Sequence, residues 1–167
     1  MPNNNTKKLT LTALFAAMVC VATYLIKVPT PAVGGYIHLG DAFVILSGII
    51  LGPIGFLPAA VGSALADLIS GYALYIPITF VVKGLIGFLV GIIWKKDIQK
   101  NHHYIVRCIL CGILSTVIMV IGYLCFEIFL YGKAAFLNIP LNLIQGISGI
   151  VISTLSLPLV FKISKIK

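Results

Sequence analysis

Four ionisable side chains stand inside otherwise apolar sequence: Asp41, Asp67, Lys83 and Glu127. Carboxylates and an ammonium group can neutralise each other, hold the polar groups of a ligand, or carry a proton. Within hydrocarbon each is costly, so it marks a buried pair or a ligand site. The 167 residues around them are 60% hydrophobic and only 10% charged, with a mean hydropathy of +1.12. Soluble domains carry about 25% charged residues. The composition therefore predicts an all-α integral membrane protein: one compact bundle of six transmembrane helices filling residues 1–167 as a single domain.

The elements that must position the four charges follow from Pro, Gly and polar punctuation. Spans are expected at about 9–26, 38–51, 54–70, 77–94, 104–130 and 140–161. Pro29, Pro31 and Gly34-Gly35 make the first connection a loop, Gly52-Pro53 a tight turn, and Pro77 opens the fourth span. The stretch from Lys95 to His103 is the strongly polar loop, and His102 and His103 read as solvated there. Spans two and three are short and glycine-rich. The fifth is long enough to tilt.

Folded up and down, these spans bring the charged residues to one depth. Asp41 is one turn into span two, Asp67 one turn before the end of span three, and Glu127 one turn from the end of span five. Lys83 lies about 9 Å below Pro77, at about 1.5 Å of rise per residue. Asn138, Asn142 and Gln145 line the same end of span six, with Tyr36, Tyr72 and Tyr75 in the adjoining loops. The pattern predicts a cup open to the exterior, in which Tyr36, Tyr72, Tyr75 and Phe80 stack on a flat ring and the polar groups fix its substituents. The candidate substrate-binding residues are Tyr36, His38, Asp67, Tyr72, Tyr75, Lys83, Glu127, Asn138, Asn142 and Gln145. Structural roles stand beside these. Lys83 is equally an interhelical lock with Asp41 or Asp67, Asp41 a cap of span two beside Gly40, His38 and the tyrosines interfacial anchors, and Glu127 a headgroup-level residue.

Net charge is +8. Lys7, Lys8, Lys95, Lys96, Lys100, Arg107, Lys162, Lys165 and Lys167 fall on one side of a six-span chain, and Lys27 and Lys133 on the other. The positive-inside rule makes that side, with both termini, cytoplasmic. Basicity then encodes orientation in a lipid bilayer, with no nucleic-acid partner. The MPNNNTKK start reads as a cytoplasmic lead to a retained span. Cys20, Cys108, Cys111 and Cys125 all fall in apolar spans; the C-x-x-C lacks a second ligand pair and reads as two small hydrophobes on one helical face. No metal and no cofactor are expected. No G-x-S-x-G, H-E-x-x-H or Walker A motif is present, so the chain reads as no enzyme and cannot power uptake itself. Small residues at four-residue spacing (Ala13/Ala17, Gly48/Gly52, Gly87/Gly91) predict close helix contacts. For the glycine pairs these are internal; for Ala13 and Ala17, packing and partner docking both remain open.

From Gly40 to Gly91 the chain reads GDAFVILSGIILGPIGFLPAAVGSALADLISGYALYIPITFVVKGLIGFLVG. The GDA opening, the L-G-P turn, the S-A-L-A-D-L-x-S-G-Y run and the P-x-T-F-x-x-K-G segment resemble the substrate-binding (S) component of energy-coupling factor (ECF) vitamin transporters, in the riboflavin-type subfamily. The resemblance is strong over about a third of the chain and looser beyond it. It implies a six-helix subunit of the bacterial cell membrane that captures a vitamin at the outer face. It also implies partners: a transmembrane coupling subunit and two cytoplasmic ATPases. Ala13 and Ala17 match the family's A-x-x-x-A contact with the coupling subunit, and Val28 to Ile37 matches its lid loop. The compact polar set favours a single-ring ligand, vitamin B6 or hydroxymethylpyrimidine, with riboflavin next. The competing readings are a self-contained carrier coupling ions through Asp67 and Lys83, and a ligand-free structural factor.

Overall fold

The computed structural model describes residues 4–29, 36–94 and 103–164, and it is almost wholly helical. The helices are α1 (Asn4–Leu25), α2 (Asp41–Leu51), α3 (Phe56–Ser70), α4 (Ile76–Ile93), α5 (Tyr104–Tyr131) and α6 (Ile139–Ser164). Short 3-10 turns at Gly52–Gly55, Ala73–Tyr75 and Gly132–Asn138 join them. Between α1 and α2, β1 (Lys27–Pro29) pairs antiparallel with β2 (Tyr36–His38), with Lys27 opposite His38. Residues 30–35 of the expected lid, 95–102 of the polar loop, and Lys165 and Lys167 lie outside the described residues.

Four stretches are long and apolar enough to cross a membrane: Asn5–Leu25, Asp41–Ser70, Ala73–Ile93 and Tyr104–Lys162. The second holds α2 and α3 and the fourth holds α5 and α6. Residues 38–40, expected as the start of span two, lie outside α2, because Tyr36–His38 forms strand. That leaves α2 with 11 residues. At about 1.5 Å per residue it reaches only about 16 Å, half the thickness of a bilayer core of about 30 Å. By contrast, α5 and α6 have 28 and 26 residues. They exceed that thickness and fit it by tilting. Pro158, near the expected end of span six, lies inside α6, which continues to Ser164.

The distribution of side chains is inverted relative to a soluble protein. Lys83, Asp41, Asp67 and Glu127 are buried, while Leu9, Leu25, Phe129, Leu155 and Leu159 are each more than 60% exposed. Apolar outward faces with charges inside are what a hydrocarbon solvent requires. The chain is a multi-pass membrane protein.

Helix direction alternates. The end of α3, the start of α4, the end of α5 and the start of α6 all contribute to one pocket, and Asp41 at the start of α2 bonds Gln145 of its wall. At the opposite end Trp94, Tyr104 and Phe161 cluster, with ring centroids 6.3 and 5.5 Å apart around Phe161. Gly71 stops α3 in the left-handed conformation (φ 82°), and its N–H bonds back to the Asp67 and Leu68 carbonyls. That conformation suits glycine. The paired glycines pack internally, as their spacing predicts. A Cβ on Gly48 would lie 2.7 Å from the Gly87 carbonyl oxygen, and Cβ atoms on Gly87 and Gly91 would strike the Gly55 and Gly52 backbone. These contacts seat the α2–α3 turn against α4. Ala13 and Ala17, in contrast, face outward.

Candidate functional site

The pocket starts from residues at helix ends. Helical spacing of three and four aligns them: Thr79 and Lys83 along α4, with Tyr75 in the turn before it; Met119, Tyr123 and Glu127 along α5; Leu141, Asn142 and Gln145 along α6, with Asn138 in the turn before it. The cavity is small and opens to one side of the bundle. Tyr36, His38, Asp67, Tyr72, Tyr75, Glu127, Asn138, Asn142 and Gln145 line it, together with Thr79, Tyr123 and Leu141. Nine of the ten candidates thus surround one space.

Lys83 is the tenth. Its side chain is fully buried and forms an ion pair with Asp41, not Asp67. The Met119 sulfur accepts from it at 3.1 Å, and the Tyr123 ring centroid lies 5.6 Å away. Lys83 sits behind the pocket wall and lines none of it. Asp41 accordingly does not cap α2. Gly40 occupies that position without a side-chain bond, and the Asp41 carboxylate turns inward to Lys83 and Gln145. Glu127 is only 3% exposed and faces the pocket, bonded to Asn138 and Tyr75. Phe80, expected among the stacking rings, lies on the outer surface, edge-on to Phe56 at 5.8 Å. It is one residue past Thr79, and a helix turns by about 100° per residue, so it points elsewhere.

Two latches tie β2 to the bundle. The Tyr36 hydroxyl donates to Asp67 Oδ1 at 2.6 Å. The His38 backbone N–H donates to Gln145 Oε1 at 3.1 Å. Gln145 in turn donates through Nε2 to Asp41 Oδ2 at 2.7 Å. The ion pair therefore holds the amide that holds the strand. On the other wall, Glu127 Oε1 accepts from Asn138 Nδ2 at 2.8 Å and from the Tyr75 hydroxyl at 3.2 Å. Thr79 and Tyr123 share a hydroxyl–hydroxyl bond of 3.0 Å. The rings form a near-continuous aromatic wall: Tyr36–Tyr72 at 4.6 Å, Tyr72–Tyr75 at 6.5 Å and Tyr75–Tyr123 at 6.4 Å between centroids.

Outside the membrane-spanning stretches, burial pushes the His38 imidazole down to about 4, so it is neutral at pH 7. Its Nδ1 accepts the Gly40 N–H at 3.1 Å, which leaves the ring proton on Nε2. Among the described residues no group of acids, histidines and cysteines could hold a metal ion. Cys20, Cys108, Cys111 and Cys125 are free thiols, with Cys108 and Cys111 buried in α5. His103 lies at the start of α5 and is exposed.

Comparisons with known proteins agree with this architecture. The sequence profile of the family described as "ECF-type riboflavin transporter, S component" matches residues 3–163. An "uncharacterized protein in gap 3'region" of Pyrococcus woesei is 37% identical over 139 residues, 80% of this chain and 88% of that protein. The thiamine precursor transporter HmpT of Lactococcus lactis subsp. cremoris is 27% identical over 163 residues, 96% of this chain and 91% of that protein. A UPF0397 protein of Streptococcus agalactiae is 34% identical over 97 residues, 58% of this chain and 53% of that protein. With a family match over nearly its whole length and a multi-pass apolar bundle, the chain belongs to the S components of ECF-type riboflavin transporters, a family of vitamin-binding transporter subunits.

Proposed function

We propose that this chain captures a small single-ring vitamin or vitamin precursor at the outer face of a bacterial plasma membrane. It delivers the ligand inward with an ECF transmembrane coupling subunit and two cytoplasmic ATPases. The observation that carries the reading is the pocket itself. Polar and aromatic side chains from α3, α4, α5, α6 and β2 converge at one end of a bundle whose exterior is apolar. Hydroxymethylpyrimidine is the preferred ligand, followed by vitamin B6 and then riboflavin. A small cavity walled by tyrosines supports a single ring, and similarity to a protein named as a thiamine precursor transporter supports the pyrimidine.

In this reading all six helices belong to the membrane unit, and both termini lie in the cytoplasm with most of the basic residues. Tyr36, His38, Asp67, Tyr72, Tyr75, Glu127, Asn138, Asn142 and Gln145 contact ligand, and Lys83 supports the wall from behind. Ala13 and Ala17, exposed on one face of α1, form the docking stripe for the coupling subunit. The hairpin arms β1 and β2 carry the lid. The chain itself does no ATP chemistry.

Reconstitution tests the proposal. Liposomes holding this chain with a coupling module should take up labelled hydroxymethylpyrimidine only when ATP is present inside the compartment facing the ATPases. Uptake by the chain alone, driven by an ion gradient, would overturn the capture-subunit reading in favour of an ion-coupled carrier. That alternative loses its expected pair, because Lys83 bonds Asp41 and not Asp67.

A further inference from the structure

Buried polar atoms that line a cavity and lack partners report what the ligand must supply. Three such atoms share this pocket: Asp67 Oδ2, Glu127 Oε2 and Asn138 Oδ1 have no hydrogen-bond partner among the described residues. Each belongs to a side chain at most 5% exposed. All three are acceptors when the acids are ionised. The Asn138 orientation is fixed, because its Nδ2 already donates to Glu127 Oε1 at 2.8 Å, leaving the carbonyl oxygen free. Asp67 Oδ1 is likewise committed to the Tyr36 hydroxyl. The Thr79 hydroxyl stands beside Asp67 and shares a hydrogen bond with the Tyr123 hydroxyl in which either oxygen can donate.

The charge balance points the same way. Two carboxylates line the cavity, and among the described residues no Lys or Arg does. The ammonium behind the wall, Lys83, is spent on Asp41. Lys27 lies over the Tyr24 and Tyr36 rings, at 4.7 and 6.0 Å from their centroids, and does not line the cavity. Residues 30–35, TPAVGG, contain no charged group. A phosphate placed here would meet two carboxylates with no cation to offset them, a like-charge juxtaposition that selects against the wrong ligand.

We infer that this pocket selects an unphosphorylated heteroaromatic ring bearing N–H or O–H donors, cationic or neutral, whose donors are taken by Asp67 Oδ2, Glu127 Oε2 and Asn138 Oδ1. The inference rests on the capture reading above and adds the chemical class of ligand to it. The two amino N–H groups and the hydroxymethyl O–H of an aminopyrimidine meet the demand, joined by a ring N–H when the ring is protonated. So do the aminomethyl, phenol and hydroxymethyl groups of pyridoxamine. A phosphate ester of either does not.

Titration of the detergent-solubilised chain tests it, with hydroxymethylpyrimidine, pyridoxamine, the phosphate ester of each, and the hydroxymethylpyrimidine ring lacking its amino group as probes. At least one unphosphorylated amine should bind. Its phosphate ester should bind about 100-fold more weakly, and the ring without the amino group about 10-fold more weakly. Asp67→Asn and Glu127→Gln keep shape but turn the free acceptor into an N–H donor. Each should lower affinity for the bound amine by about 10- to 100-fold, and melting curves verify that the variants fold. The wild-type comparison of ester with parent does not depend on those variants. Equal binding of ester and parent, or unchanged affinity in both folded variants, would overturn the donor-selection inference while leaving vitamin capture standing. Failure of every probe, with riboflavin and pyridoxine also silent, would overturn both.

Discussion

Substituting Lys83 by Met removes the buried ammonium while keeping an unbranched chain of similar length. Asp41 then keeps only the Gln145 amide, donating at 2.7 Å, to stabilise its carboxylate. Breaking a buried pair by deleting one partner costs about 3–5 kcal/mol, mostly from the stranded charge. For a chain of this size 1 kcal/mol moves the melting temperature by about 2–4 °C, so Lys83→Met should lower it by about 6–20 °C. The double variant Asp41→Asn with Lys83→Met strands no charge, and the new amide oxygen still accepts from Gln145. It should recover most of the loss, and the double-mutant cycle gives the coupling directly. Trp94, 4% exposed and the single tryptophan, reports unfolding by fluorescence in detergent. Below its melting point, Lys83→Met should retain ligand affinity within a few-fold, because Lys83 is not in the pocket lining. A melting temperature within about 2 °C of the parent, or a double variant no more stable than the single, would refute the lock.

Three further outcomes are expected. Ala13→Trp or Ala17→Trp, on the exposed face of α1, should abolish ATP-dependent uptake in liposomes and leave ligand titration unchanged; normal uptake would remove the docking stripe. Gly91→Ala drives a methyl group into the Gly52 carbonyl. It should cost about 1–3 kcal/mol in thermal unfolding, and an unchanged melting temperature would show that the α2–α3 turn is not seated on α4 as described. For His38, the folded-state value of about 4 lies below the ordinary 6.5, so the unfolded chain binds its proton first as pH falls. The stability tied to His38 is fully present above pH 6.5 and declines towards pH 4, by up to about 3 kcal/mol. The melting temperature should therefore drop more steeply between those pH values in the parent than in His38→Asn, and parallel curves would contradict the burial of His38.

Depth along the membrane normal is legible in this sequence; azimuth is much less so. Counting residues from Pro and Gly places Asp67, Glu127, Asn138 and Gln145 at one end, where they do share a pocket. Counting does not say which way each side chain turns. Lys83 sits at a depth that fits either Asp41 or Asp67, and only helix rotation selects Asp41. Phe80 and Thr79 are adjacent in sequence, yet one lies on the outer surface and the other in the pocket. The four-residue spacing of Tyr75, Thr79 and Lys83, and of Met119, Tyr123 and Glu127, carried the missing signal for Thr79 and Tyr123. Span ends drew attention to polar residues near the surface, whereas Tyr123 lies a turn deeper. The strand pairing at Tyr36–His38 was hidden for another reason: three residues against three, flanked by Pro and Gly, give too short a pattern for alternation to register. Its consequence is large, since it shortens α2 and presents Tyr36 and His38 to Asp67 and Gln145.

The central claim, that the tyrosine-walled cup holds a small donor-bearing vitamin ring, is tested most directly by mass spectrometry of what the chain carries when solubilised from the membrane. The account predicts an unphosphorylated aminopyrimidine or pyridoxamine-like compound, released on denaturation and rebound on titration. Recovery of a phosphorylated ligand such as a flavin mononucleotide would contradict the chemistry assigned to Asp67, Glu127 and Asn138. A chain that comes out empty and binds no member of the vitamin panel would contradict capture itself.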